Sequence, residues 1–268
     1  MNSESVGLPK GFLGAGIAAG IKSSGAKDLA LVVNMGPQKF GTAVFTSNQV
    51  VAAPVVWSRQ VVKDGAVSAV VLNSGGANAC TGPEGFADTH KTAEMVAELN
   101  GISASDTVVC STGLIGVRLP MDKISIGLQK ASQELTEDSL QAVAEAIMTT
   151  DSKPKISTLN HNQAVFAGVA KGAGMLAPAL ATMLSVVMTD AVVNEMEAKQ
   201  CFAEAVEKSF NRIDSDGCTS TNDTVLFMAS GASGVSLSKV ELLDCLTKIS
   251  QDTHCRCRRP FEGYFNYY

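Results

Sequence analysis

Hydrophobic and polar positions along the chain fall into two alternating patterns. Short apolar runs bounded by Gly, Pro, Asn or Asp predict strands at residues 28–33, 42–45, 69–72, 107–110, 183–188 and 225–228. The runs at 69–72 and 183–188 read as buried strands. Gly36-Pro37 lies between the first two runs as turn chemistry, so these two are expected to form a hairpin with a long loop. Helical spacing appears at 84–100, 121–130, 140–148, 195–211 and 239–250. The first of these helices should turn Phe86, Met95, Val96 and Leu99 inward and stop at Gly101. The fourth should bury Phe202, Ala205, Val206 and Phe210. Residues 152–163 are polar, hold Pro154 and His161, and read as a surface connection; 164–167 bring the chain back to the core. Trp57, the single tryptophan, is expected in the core. Strands alternating with helices give an α/β fold with sheets packed between helix layers.

Composition narrows the function. The chain of 268 residues is 46% hydrophobic and 18% charged, enough to bury a substantial core. A net charge of −5 gives nucleic-acid binding no electrostatic support. Seven cysteines without framework spacing fit free thiols in a reducing cytosol. The first residues carry neither a basic segment nor a long apolar one, and no apolar stretch reaches the roughly 18 residues of a membrane span. A cytoplasmic protein with no membrane partner is expected.

Three loops offer chemistry. Asn73-Ser74-Gly75-Gly76-Ala77-Asn78-Ala79-Cys80-Thr81-Gly82 follows a strand and precedes a helix, a common place for a site. Cys80 has no His near it in sequence, His90 falls on a polar helix face, and Cys80 reads as structural rather than nucleophilic. In Ser111-Thr112-Gly113-Leu114-Ile115-Gly116 the glycines could turn N–H groups toward a ligand, although a plain strand-to-helix turn fits the spacing as well. Thr149, Thr150 and Asp151 end a helix and could be only its stop signal.

The stretch Lys171-Gly172-Ala173-Gly174-Met175 through Ala181-Thr182-Met183-Leu184 is the most pointed. A break after Ala181 would free the α-amine of Thr182. With a reference pKa of about 7.7–8.0, that amine can serve as base to its own hydroxyl. Without further information a Gly-rich turn before a core strand is the plainer reading.

This stretch resembles the self-cleavage motif of the ornithine acetyltransferases, the bifunctional glutamate N-acetyltransferases of arginine biosynthesis. Pro9-Lys10-Gly11-Phe12, Phe45-Thr46-Ser47-Asn48, Ala52-Ala53-Pro54-Val55, the Asn73–Cys80 loop and Asp216-Gly217-Cys218-Thr219-Ser220-Thr221-Asn222-Asp223-Thr224 are similar to family segments as well. The resemblance covers roughly residues 9–245. It implies a layered α/β fold of N-terminal-nucleophile type that cleaves itself between Ala181 and Thr182. Residues 1–181 would form an α chain and 182–250 the start of a β chain, assembled as a heterotetramer. It implies that Thr182 takes the acetyl group of N2-acetylornithine as an ester and passes it to glutamate. Thr112 and Gly113 would supply the oxyanion hole, and Thr149, Thr150 and Lys171 would bind substrate. Acetyl-CoA would be a possible second donor; no metal or organic cofactor is implied. The alternatives are an N-terminal-nucleophile amidase or aminopeptidase, or an inactive remnant or binder of acylated amino acids.

Residues 251–268 form an atypical tail. It contains all three tyrosines. His254, Cys255 and Cys257 crowd three possible ligands into four residues, poor geometry for a closed zinc site. The family continues well beyond this point with a substrate-binding glutamate, an asparagine and a hydroxyl residue. A frameshift or alternative terminus near residue 250, with weak transferase activity and poor solubility, is therefore expected.

Overall fold

The structure, a computed structural model, describes residues 7–172, 183–212 and 219–255, with only the main chain of His254 and Cys255. It contains strands β1 (Phe12–Ile17), β2 (Leu29–Asn34), β3 (Phe40–Phe45), β4 (Ala69–Asn73), β5 (Thr107–Ser111), β6 (Lys155–His161), β7 (Ala164–Lys171), β8 (Leu184–Thr189) and β9 (Thr224–Ala229). The helices are α1 (Ala53–Val61), α2 (Gly82–Asn100), α3 (Met121–Gln133), α4 (Leu140–Ala146), α5 (Glu195–Glu207) and α6 (Lys239–Cys255).

The strands form a sheet of order β1-β2-β4-β5 and a second of order β3-β9-β8-β7-β6. Strands β2, β4, β8 and β9 are buried at every position, which is why they read as largely apolar runs. The two sheets face each other across a core that includes Val32, Leu72, Val108, Val186, Leu226 and Met228, closed on one side by Leu140 and Val143 of α4 and by Ile147 just after it. Helices α2 and α3 cover the outer face of the first sheet, and α5 and α6 that of the second. The layers run helix, sheet, sheet, helix.

Several expectations need correction. The runs at 28–33 and 42–45 are strands but not a hairpin: β2 pairs with β1 and β4, whereas β3 pairs with β9, Phe40 opposite Ala229. The loop between them crosses from one sheet to the other. The Asn34 side-chain amide fastens that crossing by donating to Gln38 O at 3.0 Å and Ala229 O at 3.1 Å. Residues 155–161 are an edge strand paired with β7, not a connection; Thr158 and Asn160 are exposed, while Lys155 and Ser157 are buried. In α2 the buried face is Gly85, Asp88, Thr89, Thr92, Ala93, Val96 and Ala97, while Phe86 and Leu99 are exposed. Close approach of this helix to the Asn78 loop, whose amide donates to Gly85 O at 2.8 Å and Thr89 Oγ1 at 2.9 Å, selects small residues there. Gly101 does end the helix, in the left-handed region at φ 64°.

Helix α1 does work that no spacing announces. It lies along β5, the edge of the first sheet. Ser58 Oγ donates to Val109 O at 2.8 Å and accepts from Val109 N–H at 3.0 Å, while Trp57 Nε1 donates to Thr107 O at 3.0 Å. Side chains thus satisfy an edge that would otherwise be open to pairing. Trp57 is half-buried, with the His90 ring 4.9 Å away.

Candidate active site

The C-terminal ends of β4, β5 and β7 and the N-terminal ends of β8 and β9 meet at one pole of the sandwich. There the Asn73 side chain organises the first loop. Its Oδ1 accepts from Gly75 N–H at 3.3 Å and Gly76 N–H at 3.2 Å, and its Nδ2 donates to Ser111 Oγ at 2.7 Å. Thr112 N–H donates to Asn73 O at 3.0 Å. Gly113 has φ +133°, and a Cβ there would lie 2.8 Å from Gly76 N, so both conformation and space require glycine. From the second sheet, Asn222 Nδ2 reaches across to Ala77 O at 2.6 Å and Ser111 O at 2.9 Å.

Lys171, at the end of β7, is 1% exposed, and its Nζ donates to Thr112 Oγ1 at 3.0 Å. That bond ties the second sheet to the loop after β5. It also puts a buried cation where a substrate carboxylate or a developing oxyanion would be stabilised. Asp223 is fully buried; its Oδ1 accepts from Met183 N–H at 2.7 Å, and its Oδ2 has no hydrogen-bond partner among the described residues. Burial pushes the Asp223 carboxyl up to about 7, against the opposing pull of Met183 N–H, the Ser220 side chain and the Lys171 charge.

A second carboxylate stands beside Gly172. Asp151 Oδ1 accepts from Gly172 N–H at 2.9 Å, and Oδ2 from Thr149 N–H at 3.0 Å. Lys155 Nζ donates to both Asp151 Oδ1 and Gly172 O. Burial disfavours the Asp151 charge, but Lys155 and the two N–H groups outweigh it and hold the carboxyl below its ordinary range.

The sequence-predicted residues distribute as follows. Thr112, Gly113 and Lys171 come together. Thr149 is half-buried and lines a neighbouring cavity of about 340 Å³ with Lys22, Lys27, Glu145 and Met148. Thr150 is exposed. Asp151 links the Thr149 side of the site to the Lys171 side. Ala181 and Thr182 lie outside the described residues. Cys80 is exposed, with φ 56°. Cys110, at the end of β5, is buried and its thiol is pushed up to about 12 by that burial. His161 Nε2 sits 3.4 Å from Glu241 Oε1. Among the described residues no cluster of His, Cys, Asp or Glu is arranged to hold a metal, and no helix is long and apolar enough to cross a membrane.

Asp223 and Asn222 lie in a polar stretch that the sequence marks without giving either a role. Lys155 was hidden in a segment too polar to read as a strand.

The fold class is a four-layer α/β sandwich of the ornithine acetyltransferase kind. The Burkholderia β-aminopeptidase shares it at TM-score 0.55 and 11% identity, covering 93% of this chain and 84% of that one, a likeness of fold alone. The solved ornithine acetyltransferase of Mycobacterium tuberculosis, complexed with ornithine, aligns at TM-score 0.63 and 54% identity over 65% of this chain and 96% of that one. The chain belongs to the ArgJ family, whose model matches residues 14–259. The arginine biosynthesis bifunctional protein ArgJ of Streptomyces coelicolor is 52% identical over 259 residues, 97% of this chain and 68% of that protein. The Thermobifida fusca protein of the same name is 54% identical over 252 residues, 94% of this chain and 66% of that protein. The family match and α6 both run past residue 250, so the likeness extends further than the sequence motifs suggest.

Proposed function

We propose that this chain transfers acetyl from N2-acetylornithine to glutamate in arginine biosynthesis. Its relatives carry the name arginine biosynthesis bifunctional protein, and one solved relative holds ornithine. The observation that carries the reading is the buried Lys171–Thr112 contact beside Gly113, at the pole that also holds Met183.

In the first step the Thr182 hydroxyl attacks the acetyl carbonyl carbon and the free α-amine takes its proton. The C–N bond to ornithine then breaks, and ornithine leaves with a proton. In the second step the glutamate amine attacks the ester and frees Thr182. Thr112 N–H is committed to Asn73 O. The Thr112 hydroxyl, which accepts from Lys171, and Gly113 N–H are therefore the donors suited to the oxyanion. Thr149, Thr150 and Lys171 hold substrate. Acetyl-CoA is a candidate second donor and no resident cofactor takes part. The working form is cytoplasmic, cleaved between Ala181 and Thr182 and assembled as a heterotetramer. A break there leaves a first piece of about two-thirds of the 268 residues. The solved relatives support this: each is 96% covered by 65% and 68% of this chain.

Incubation with N2-acetylornithine, with and without glutamate, tests the reading. Ornithine should appear only with glutamate, and denaturing gels should show two bands that merge into one in Thr182→Ala. Release without glutamate means an amidase. Binding without release means a binder or inactive remnant.

A further inference from the structure

The cavity of about 340 Å³ beside Thr149 is lined by charges of both signs, from Lys22, Lys27 and Glu145. Lys27 Nζ and Glu145 Oε2 pair at 2.8 Å, with both side chains 38% exposed. An ion pair as exposed as this is weak and opens to a ligand at little cost. Lys22 is held differently. Its Nζ donates to Lys27 O at 3.0 Å and Met148 O at 2.7 Å, and its third N–H has no partner among the described residues. Burial disfavours the Lys22 charge, and Asp28 and Asp151 oppose that without bonding to the ammonium. The Asp151 carboxylate is already paired with Lys155. An ammonium taken partly out of water without a counter-ion of its own gains from an anion brought to it.

The cavity is preformed. Asp28, fully buried, accepts from Ala19 N–H at 2.7 Å and Lys22 N–H at 2.8 Å, which fixes the loop that carries both lysines. Lys22 Nζ then ties that loop to Met148, on the far wall. Little ordering is left for a ligand to impose.

Two cations and one anion call for a ligand with two anions and one cation. An α-amino acid with an acidic side chain has that set. Its ammonium and α-carboxylate stand next to each other, as Glu145 and Lys27 do, so the two dipoles can pair head to tail. The side-chain carboxylate is left for Lys22. We propose that this cavity is a binding site for an acidic α-amino acid, apart from the candidate active site: Thr112, Gly113 and Lys171 do not line it. The inference goes beyond the acetyl-transfer reading and does not depend on it.

The experiment is isothermal titration of the chain and of Lys22→Met, Glu145→Gln and Lys171→Met with three probes. L-Glutamate carries all three charges, glutarate lacks the ammonium, and L-norvaline lacks the side-chain carboxylate. Lys171→Met should still take up one L-glutamate per chain. Lys22→Met should weaken L-glutamate about tenfold and leave L-norvaline unchanged. Glu145→Gln should weaken L-glutamate about tenfold and leave glutarate unchanged. Glu145 is part of a half-exposed pair, so its variant keeps the test open if Lys22→Met or Lys171→Met fails to fold. L-Glutamate binding that is lost in folded Lys171→Met, or that survives intact in Glu145→Gln, would overturn the proposal by placing the ligand elsewhere. Glutarate binding as tightly as L-glutamate, or no binding of L-glutamate up to about 10 mM, would overturn it too.

Discussion

Replacing Asp223 by Asn should change how stability depends on pH in a calculable direction. In the unfolded chain an aspartate titrates near 3.9. In the fold, burial pushes Asp223 up to about 7, with Lys171, Ser220 and Met183 N–H as the facing groups that oppose the rise. The folded state therefore holds this proton over a range in which the unfolded state has released it. The stabilising contribution is complete below about pH 4 and is lost as pH rises toward 7, because folding must then bury the charge. Linkage between these values gives a loss of about 2 to 3 kcal/mol between pH 5 and pH 8. Asn carries no such proton but still offers an oxygen to Met183 N–H. Urea unfolding of both proteins at pH 5 and pH 8, each in a Thr182→Ala background that keeps the chain in one piece, isolates the effect, since all other titrations cancel in the difference. Asp223→Asn should gain on its parent by about 2 to 3 kcal/mol from pH 5 to pH 8. A difference that stays constant, or that moves in favour of Asp223 as pH rises, would refute the raised carboxyl.

Two further substitutions probe the loops at the same pole. Gly113→Ala must place a Cβ 2.8 Å from Gly76 N at φ +133°; it should cost about 1–3 kcal/mol in urea unfolding and on the order of 10²-fold in transfer kcat. Asn222→Ala removes donors to both Ala77 O and Ser111 O; it should destabilise the fold by about 2 kcal/mol in urea, with a loss of transfer that Asn222→Gln does not restore, because the longer chain displaces the amide.

The legible parts of the chain are those where local pattern and tertiary role agree. Strands β2, β4, β5, β8 and β9 are buried on both faces, so their runs are almost wholly apolar, broken inside only by Ser185 of β8. The face of α5 bearing Phe202, Ala205 and Val206 points inward as its spacing predicts, and Phe210 just beyond it is buried too. Legibility fails where a neighbour changes the rule. Strand β1 contains Gly14 and Gly16, small enough for α4 to lie over it and too weak in strand propensity to stand out. Helix α1 is stabilised by what it does to the edge of β5, and β6 is an edge strand with the polarity of a loop. In the site, motif resemblance singled out Thr112, Gly113 and Lys171, and the fold brings those three together. Asp151, Lys155 and Asp223 escaped because they bond main-chain groups of Gly172 and Met183, far away in sequence, a relation that no spacing records.

The pairing of β3 with β9 sets a timetable for the protein's birth. Phe40 lies opposite Ala229, and Phe45 opposite Thr224. Strand β3 must therefore wait on the ribosome until about 180 further residues have been made. Strand β7, already paired with β6, likewise gains its inner neighbour only when β8 appears. Such long-range closure slows folding and leaves apolar edges open meanwhile. A peptide break within 173–182 can follow folding without releasing either piece, because both share one sheet. The same break made in the gene, with the two pieces synthesised apart, should give a first piece that aggregates unless the second is produced beside it.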